Sequence, residues 1–287
     1  MSRLSVNEIN PAIGAVIEGL DPTSPLDDDT VRTLRAAFDD RGVLVFRGLD
    51  IDEVFQQQLV YSLIDDELPD EDRISVQVSN KAEGGLAPYG RLLFHCDNMW
   101  ARTPQPAISL YGEKVEPPSA PTRFAGMRHA WDTLPDELKA RVEGREARHG
   151  FDGVYPNRGG DDDVLDASFP AARHSVRPVA MAHPRTGDTL LYVSQQMTNE
   201  ILGLSEDENE ELLAALYEHL YDPELIVDHD WREGDLVVWD NVAVQHGRGK
   251  VSLDGNERTL RKVTGPMNLD PDELLPPRFS KVAERNG

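Results

Sequence analysis

The chain is 287 residues long and carries 29 Lys and Arg against 52 Asp and Glu, a formal net charge of −23. That excess of acid repels nucleic acid phosphates and anionic membranes, so a small-molecule partner is expected instead, and an anionic substrate would need Arg or Lys inside its own pocket. The lone Cys96 excludes an internal disulfide and points to a reducing, cytoplasmic setting, while a chain of this size buries roughly 75% of its unfolded surface without such staples.

No basic start leads into an apolar run, no segment approaches the roughly 18 apolar residues of a membrane span, and no repeat divides the sequence. A single domain over residues 1–287 is expected. From Asp27 to Asp40, Val31, Leu34, Ala37 and Phe38 fall at helical spacing behind an acidic first turn, and Gly42 stops the helix. Val43–Phe46 then reads as a strand and Ile51–Ile64 as a second helix, followed by a loop at Pro69 and the charged run Asp70 to Arg73. Ala82–Gly90, rich in Gly, reads as either a substrate lid or a plain connection.

Ala107–Val115 and Thr122–Ala125 read as strands around a Pro-rich turn, and Trp131–Val142 as a helix. Gly153–Ala167 reads as a loop in which Asp161, Asp162 and Asp163 lack the ligand spacing of a calcium site. Thr189–Val193 is a short apolar strand, and Ser205 to Glu208 opens a helix carrying Leu212, Leu213, Leu216 and Leu220. Strands return at Leu236–Trp239, Val242–Val244 and Thr259–Val263. Short strands that bracket a helical insertion, behind a helical N-terminal segment, predict a mainly β fold: a jelly-roll core, or double-stranded β-helix, whose mouth holds a small-molecule site.

The chemistry is carried by His95-Cys96-Asp97. In an extended segment alternate side chains share a face, so His95 and Asp97 reach one ion while Cys96 turns away. His246 is the best third ligand, and two His with one carboxylate form the facial triad that leaves iron(II) with open coordination positions. The same ligand set serves zinc hydrolases, and a barrel that only binds a metabolite would share the fold. His129, His149, His174, His183 and His219 lack paired partners in the sequence and read as surface or hydrogen-bonded residues, while His229-Asp230 lacks the further ligands of a metal phosphohydrolase. There is no Walker-type phosphate loop or Gly-X-Ser-X-Gly elbow, and Cys96 has no base beside it.

A series of ordered blocks resembles the taurine dioxygenase (TauD/TfdA-like) family of iron(II)- and 2-oxoglutarate-dependent dioxygenases. They run from Ile13–Asp21 and Ala36–Gly48 through Ala130–Pro135, Arg173–Val179 and His183–Gly187 to Trp231–Asn241, which leads into His246. The resemblance implies that His95, Asp97 and His246 bind Fe(II), with 2-oxoglutarate and O2 at the remaining positions. It implies Arg258 as the anchor of the 2-oxoglutarate distal carboxylate, Arg261 as the runner-up, and Thr122 as a hydroxyl donor to the same group. The family commonly carries two Arg four residues apart on this strand, the second for an anionic substrate group; this sequence has Arg258 and Lys262.

Arg248, Arg261, Lys262 and Arg91 are the candidate substrate-anion contacts and Trp239 a candidate pocket wall, with turn capping for Arg248 and core packing for Trp239 as the structural alternatives. The implied reaction is oxidation, by default hydroxylation, of an unactivated C–H bond in a small, carboxylate-bearing molecule, with release of succinate and CO2. Chlorinating relatives replace the carboxylate ligand by a small residue, so Asp97 argues against halogenation. Two or four subunits suit the resemblance.

Overall fold

The Asp27 carboxylate accepts a hydrogen bond from the Thr30 N–H and so caps helix α1 (Asp28–Arg41), which Gly42 ends at φ 69 by donating to the Phe38 carbonyl. Asp52 caps helix α2 (Glu53–Ile64) in the same way, through the Phe55 N–H. The computed structural model describes residues 4–68, 75–150, 164–165, 167–168, 174–266 and 278–279. The loop expected at Pro69 to Arg73, most of the one expected over Gly153–Ala167 with its Asp161, Asp162 and Asp163, and Arg173 lie outside them.

Strands are numbered in chain order. The first eight are β1 (Ser5–Glu8), β2 (Ala15–Glu18), β3 (Val43–Phe46), β4 (Val76–Ser79), β5 (Gly90–His95), β6 (Ala107–Val115), β7 (Thr122–Gly126) and β8 (Glu146–Gly150). Then come β9 (Ala167–Ser168), β10 (His174–Pro178), β11 (Ala180–Ala182), β12 (Thr189–Leu191) and β13 (Thr198–Ile201). The last are β14 (Val227–His229), β15 (Leu236–Asp240), β16 (Val244–Val251), β17 (Arg258–Thr264) and β18 (Arg278–Phe279).

Seven strands form one sheet in the order β1-β2-β3-β15-β6-β17-β4, and four form a second in the order β14-β7-β16-β5. Every pairing in the two is antiparallel except β2 with β3. The sheets face each other across a layer that includes Val43, Val45, Ile108, Phe124, Val237, Trp239, Val244 and Leu260, which is the predicted jelly roll. On the other side of the larger sheet, α1 and α2 cover Leu44, Phe46, Leu236, Val238 and Val263.

The period of two is therefore visible along β15: Leu236 and Val238 face the helices, and Val237 and Trp239 face the second sheet. A strand buried on both faces reads as an unbroken apolar run, as this one does. Phe124 is fully buried between the sheets, and truncating such a ring to Ala costs about 3–5 kcal/mol.

The helical insertion has its own core, with Leu134, Val142, Ala147, Leu190, Leu212, Leu213 and Leu216 among its residues. Helix α5 (Glu206–Leu220) opens on the expected capping box, with Glu208 N–H donating to the Ser205 hydroxyl and Ser205 N–H to the Glu208 carboxylate. The helix expected over Trp131–Val142 is instead two, α3 (Met127–Thr133) and α4 (Asp136–Val142), because Pro135 follows an extended Leu134 at φ −59 and ψ 130.

Val242–Val244 is not an independent strand. The Asp240 carboxylate accepts from the Val242 and Ala243 N–H groups and makes a turn, after which β16 starts at Val244. The Ala82–Gly90 stretch is tied down in its second half, where Leu86 N–H donates to the Gln77 carbonyl at 2.7 Å and Arg248 holds the backbone of Ala87, Tyr89 and Gly90. These contacts anchor the second half of the stretch to β4 and β16. Among the described residues no helix is long and apolar enough to cross a membrane.

Candidate active site

Pairing of β5 with β16 puts His95 directly opposite His246, their ring centroids 4.3 Å apart. His95 Nδ1 lies 2.7 Å from the Leu93 carbonyl, which can only accept, so in the neutral ring Nδ1 carries the proton and Nε2 keeps its lone pair. That Nε2 is 3.2 Å from Asp97 Oδ1, and His246 Nε2 is 3.6 Å from the same oxygen. The three ligand atoms lie within 4.8 Å of one another. Cis ligands about 2.1 Å from an octahedral ion sit roughly 3 Å apart, so the set fits three adjacent positions on one metal.

Protonation supports that fit. Burial, and then the neighbouring His95, push His246 well below the usual imidazole range, so its ring is neutral at pH 7. Burial alone would raise the Asp97 carboxyl, but Lys262 first, and then His95 and His246, hold it well below the ordinary carboxylate range. Two imidazole lone pairs and a carboxylate converging in a buried place form a site that a cation satisfies.

Asp97 reaches this position differently from the sequence expectation. Strand β5 ends at His95, and residues 97 to 100 form a turn with Asn98 at φ 56, so strand alternation does not set the His95–Asp97 relation. Cys96 does turn away: its thiol is buried, donates to the Val244 carbonyl at 3.7 Å, and is pushed well above its ordinary range by burial. A buried neutral thiol is a poor target for oxidation.

Arg258 and Arg261 leave β17 on opposite faces. Arg258 points inward, where Nε donates to the Ala120 carbonyl at 3.2 Å and Nη2 to the Thr122 hydroxyl at 3.1 Å, with the guanidinium 5.8 Å from the Trp231 ring centroid. Trp231 Nε1 also donates to the Thr122 hydroxyl, at 2.9 Å. Thr122 thus accepts twice and its own O–H proton stays available for an anion.

Arg248, one residue pair along from His246 on β16, is 4% exposed and spends its guanidinium on the carbonyls of Ala87, Tyr89 and Gly90; burial pushes it down to about 10. Burial, with Arg248 nearby, also holds Arg258 well below its ordinary range. Among the described residues neither arginine has a carboxylate partner, and no protein group accepts from Arg258 Nη1. A buried guanidinium without a carboxylate partner, beside a hydroxyl with a proton to donate, has the chemistry to receive an anion.

Arg261 lies on the helix side of the sheet, where it donates to Gln56, Glu113 and the Ile51 carbonyl and stacks over Tyr111. The parity of the strand separates it from the metal cluster, and its contacts tie β17 to α2. Lys262 shares the inward face with Arg258, and its ammonium contacts Asp97 Oδ2. Trp239 packs in the core between the sheets, 1% exposed, with its ring 4.9 Å, centroid to centroid, from the His246 ring. Arg91 is half-buried on β5, four residues before His95.

Trp231 and His183 carry structural roles that composition and spacing do not reveal. Trp231 orients Thr122 and lies against Arg258, as above. His183 is buried and sits 3.1 Å from Asp240, which Arg185 also contacts, so the turn after β15 is braced by a charged cluster and His183 does have a partner. His149 is likewise buried, with Nδ1 3.1 Å from the Thr198 hydroxyl, and His229 lies 3.4 Å from Asp235.

The sequence matches the family described as Taurine catabolism dioxygenase TauD, TfdA family over residues 5–264. It is 30% identical over 297 residues to a pentalenolactone F synthase of Streptomyces avermitilis, covering 91% of this chain and 93% of that protein. It is 28% identical over 285 residues to an alpha-ketoglutarate-dependent 2,4-dichlorophenoxyacetate dioxygenase of Cupriavidus pinatubonensis, covering 90% of this chain and 96% of the relative. The fold superposes with a TM-score of 0.75 and 25% identity on the crystal structure of AAD-2 in complex with Mn(II) and N-oxalylglycine, over 93% of this chain and 99% of that one. The chain belongs to the TauD/TfdA family and is a non-haem iron(II)- and 2-oxoglutarate-dependent dioxygenase that oxidises a small molecule.

Proposed function

We propose that His95, Asp97 and His246 hold the iron, that Arg258 and Thr122 anchor the distal carboxylate of 2-oxoglutarate, and that the enzyme hydroxylates an unactivated C–H bond of a small carboxylate-bearing substrate. The observation that carries this reading is the convergence of two imidazole nitrogens and one carboxylate oxygen beside a buried arginine with no acidic partner among the described residues.

Iron(II) with 2-oxoglutarate supplies the activation of O2 that oxidises the C–H bond and yields succinate and CO2. The residues do the rest. His95 is held by the Leu93 carbonyl in the tautomer that presents Nε2, while burial keeps His246 neutral, so that ring has no proton to lose at pH 7. Arg258 offers Nη1 and the remaining Nη2 hydrogen to a carboxylate in a forked geometry, and Thr122 adds its hydroxyl proton. Trp231, the wall behind Arg258, keeps water from that pair. Asp97 would fill the metal position that a halide needs, which favours hydroxylation over halogenation.

Lys262 supports an anionic substrate. Its ammonium engages Asp97 with one donor and has two more to offer, in a protein whose overall charge of −23 would otherwise repel a carboxylate. The relative named for 2,4-dichlorophenoxyacetate acts, by its name, on a carboxylate. We also read the enzyme as cytoplasmic and as a dimer or tetramer, which light scattering on the purified protein tests.

The experiment is a panel of small carboxylic acids and their matched primary amides, assayed with iron(II), 2-oxoglutarate and O2 for succinate release and for product mass. Acids are expected to raise succinate release above the substrate-free rate and to gain one oxygen atom. Stimulation by the amides alone would overturn the substrate class, and a loss of two hydrogens without oxygen gain would overturn hydroxylation.

A further inference from the structure

Asp97 is the one member of the metal cluster that no strand holds. The ladder between β5 and β16 stops at His95 opposite His246, and the chain leaves the sheet at once through the turn at Asn98. A ligand on an unpaired segment would lose the half-ångström precision that a metal site needs. The Asn241 side chain meets this need. Its Oδ1 accepts from the Asp97 N–H at 2.9 Å, and its Nδ2 donates back to the Asp97 carbonyl at 3.0 Å.

One amide therefore gives Asp97 both the donor and the acceptor that a neighbouring strand would have given it. The second Nδ2 hydrogen goes to the Gln105 carbonyl at 3.1 Å, and the Asn241 backbone N–H goes to the Pro106 carbonyl at 3.2 Å. Asn241 is 1% exposed. The bonds to Asp97 are partly buried and the one to Gln105 fully so, and each one lost leaves a shielded backbone group short of a partner.

Asn241 is itself fixed from behind. Asp240 Oδ1 accepts from Val242 N–H at 2.9 Å and from Ala243 N–H at 3.1 Å, while His183 and Arg185 hold the other side of that carboxylate. The same turn starts β16, which carries His246 two residues beyond Val244. One short turn thus sets the direction of the strand bearing His246 and clamps the backbone of Asp97.

We infer that Asn241 is a positioning residue for the metal site: its amide replaces the missing strand pairing at Asp97 and sets the carboxylate on the same ion as His95 and His246. The inference rests on these three residues being the iron ligands, and the test keeps the two apart. It uses Mn(II) alone as probe, titrated into the full-length metal-free protein by calorimetry, with thermal melting of the same samples.

Asn241→Ala removes all three side-chain bonds and is expected to melt at lower temperature. Asn241→Asp keeps the size and the acceptor for the Asp97 N–H, but it cannot donate to the two carbonyls. It also adds a negative charge that by itself favours a cation, so weakened binding in this variant reports lost geometry. The expected result is a loss of Mn(II) affinity of about 10- to 100-fold in both folded variants. A role confined to stability would lower the melting temperature and leave the affinity of the folded protein alone. Affinity within twofold of wild type in either folded variant overturns the inference. Wild-type affinity in Asp97→Ala and His246→Ala would overturn the ligand assignment beneath it.

Discussion

Replacing Arg258 by Ala tests the 2-oxoglutarate site quantitatively. The side chain offers Nη1 and one Nη2 hydrogen to a carboxylate, after Nε and the other Nη2 hydrogen are used on Ala120 and Thr122. Two hydrogen bonds to a charged group contribute about 1.5–3 kcal/mol each, so their joint loss costs about 3–6 kcal/mol. At about 1.4 kcal/mol per factor of ten, the dissociation constant for 2-oxoglutarate rises roughly 10²- to 10⁴-fold. The assay is calorimetric binding of 2-oxoglutarate to the Mn(II)-loaded protein, backed by the KM for 2-oxoglutarate in turnover. Arg261→Ala is the control, because its guanidinium lies on the helix side and bonds Gln56, Glu113 and the Ile51 carbonyl. It should lower the melting temperature and change the 2-oxoglutarate affinity less than about threefold, within the effect of a distant, independent site. A larger loss in Arg261→Ala than in Arg258→Ala would refute the reasoning and move the anchor across the sheet.

Lys262→Met removes the ammonium that contacts Asp97 and repels an incoming dication. Mn(II) should bind the metal-free variant roughly tenfold tighter or better, and calorimetry that finds weaker binding refutes the electrostatic reading. The same variant should raise the KM for an acidic substrate more than it lowers kcat. His149 is a separate probe of stability: burial, with Arg177 nearby, lowers it to about 3 from 6.5. The unfolded chain then binds a proton below pH 6.5 that the folded one refuses, so stability is full above 6.5 and falls towards pH 3. The slope is about 1.4 kcal/mol per pH unit, giving a loss of about 2 kcal/mol between pH 7.5 and 5. Urea unfolding should show that loss in wild type relative to His149→Phe; parallel curves for the two proteins contradict it.

Local rules made much of the fold legible. Asp27 with Gly42, and Ser205 with Glu208, mark helix ends by chemistry that needs no tertiary partner, and those helices sit where the sequence puts them. The unbroken apolar run of β15 likewise announces a strand buried on both faces. Contacts between distant segments were hidden. A helix pattern that spans Pro135 looks continuous in its apolar spacing, yet the extended residue before Pro breaks it.

The ligand triad was readable because His95 and Asp97 are neighbours in sequence, but the stated reason, alternation along a strand, is not how they meet. A side-chain amide almost 150 residues away supplies the geometry, as the separation of 144 between Asp97 and Asn241 shows. Arg258 and Arg261 differ by three positions, an odd number, so they must face opposite ways on a strand. Which of the two faces the metal follows only from α2 covering one side of the sheet. Trp231 gave no signal of its role, because an aromatic beside a strand is more often core.

Anaerobic titration of the metal-free protein with iron(II) and 2-oxoglutarate tests the central claim most directly. A visible charge-transfer band is expected from wild type only when both are present, and it should be lost in Asp97→Ala and His246→Ala and need far more 2-oxoglutarate in Arg258→Ala. No band in wild type, or a band of full intensity in Asp97→Ala, would contradict the account.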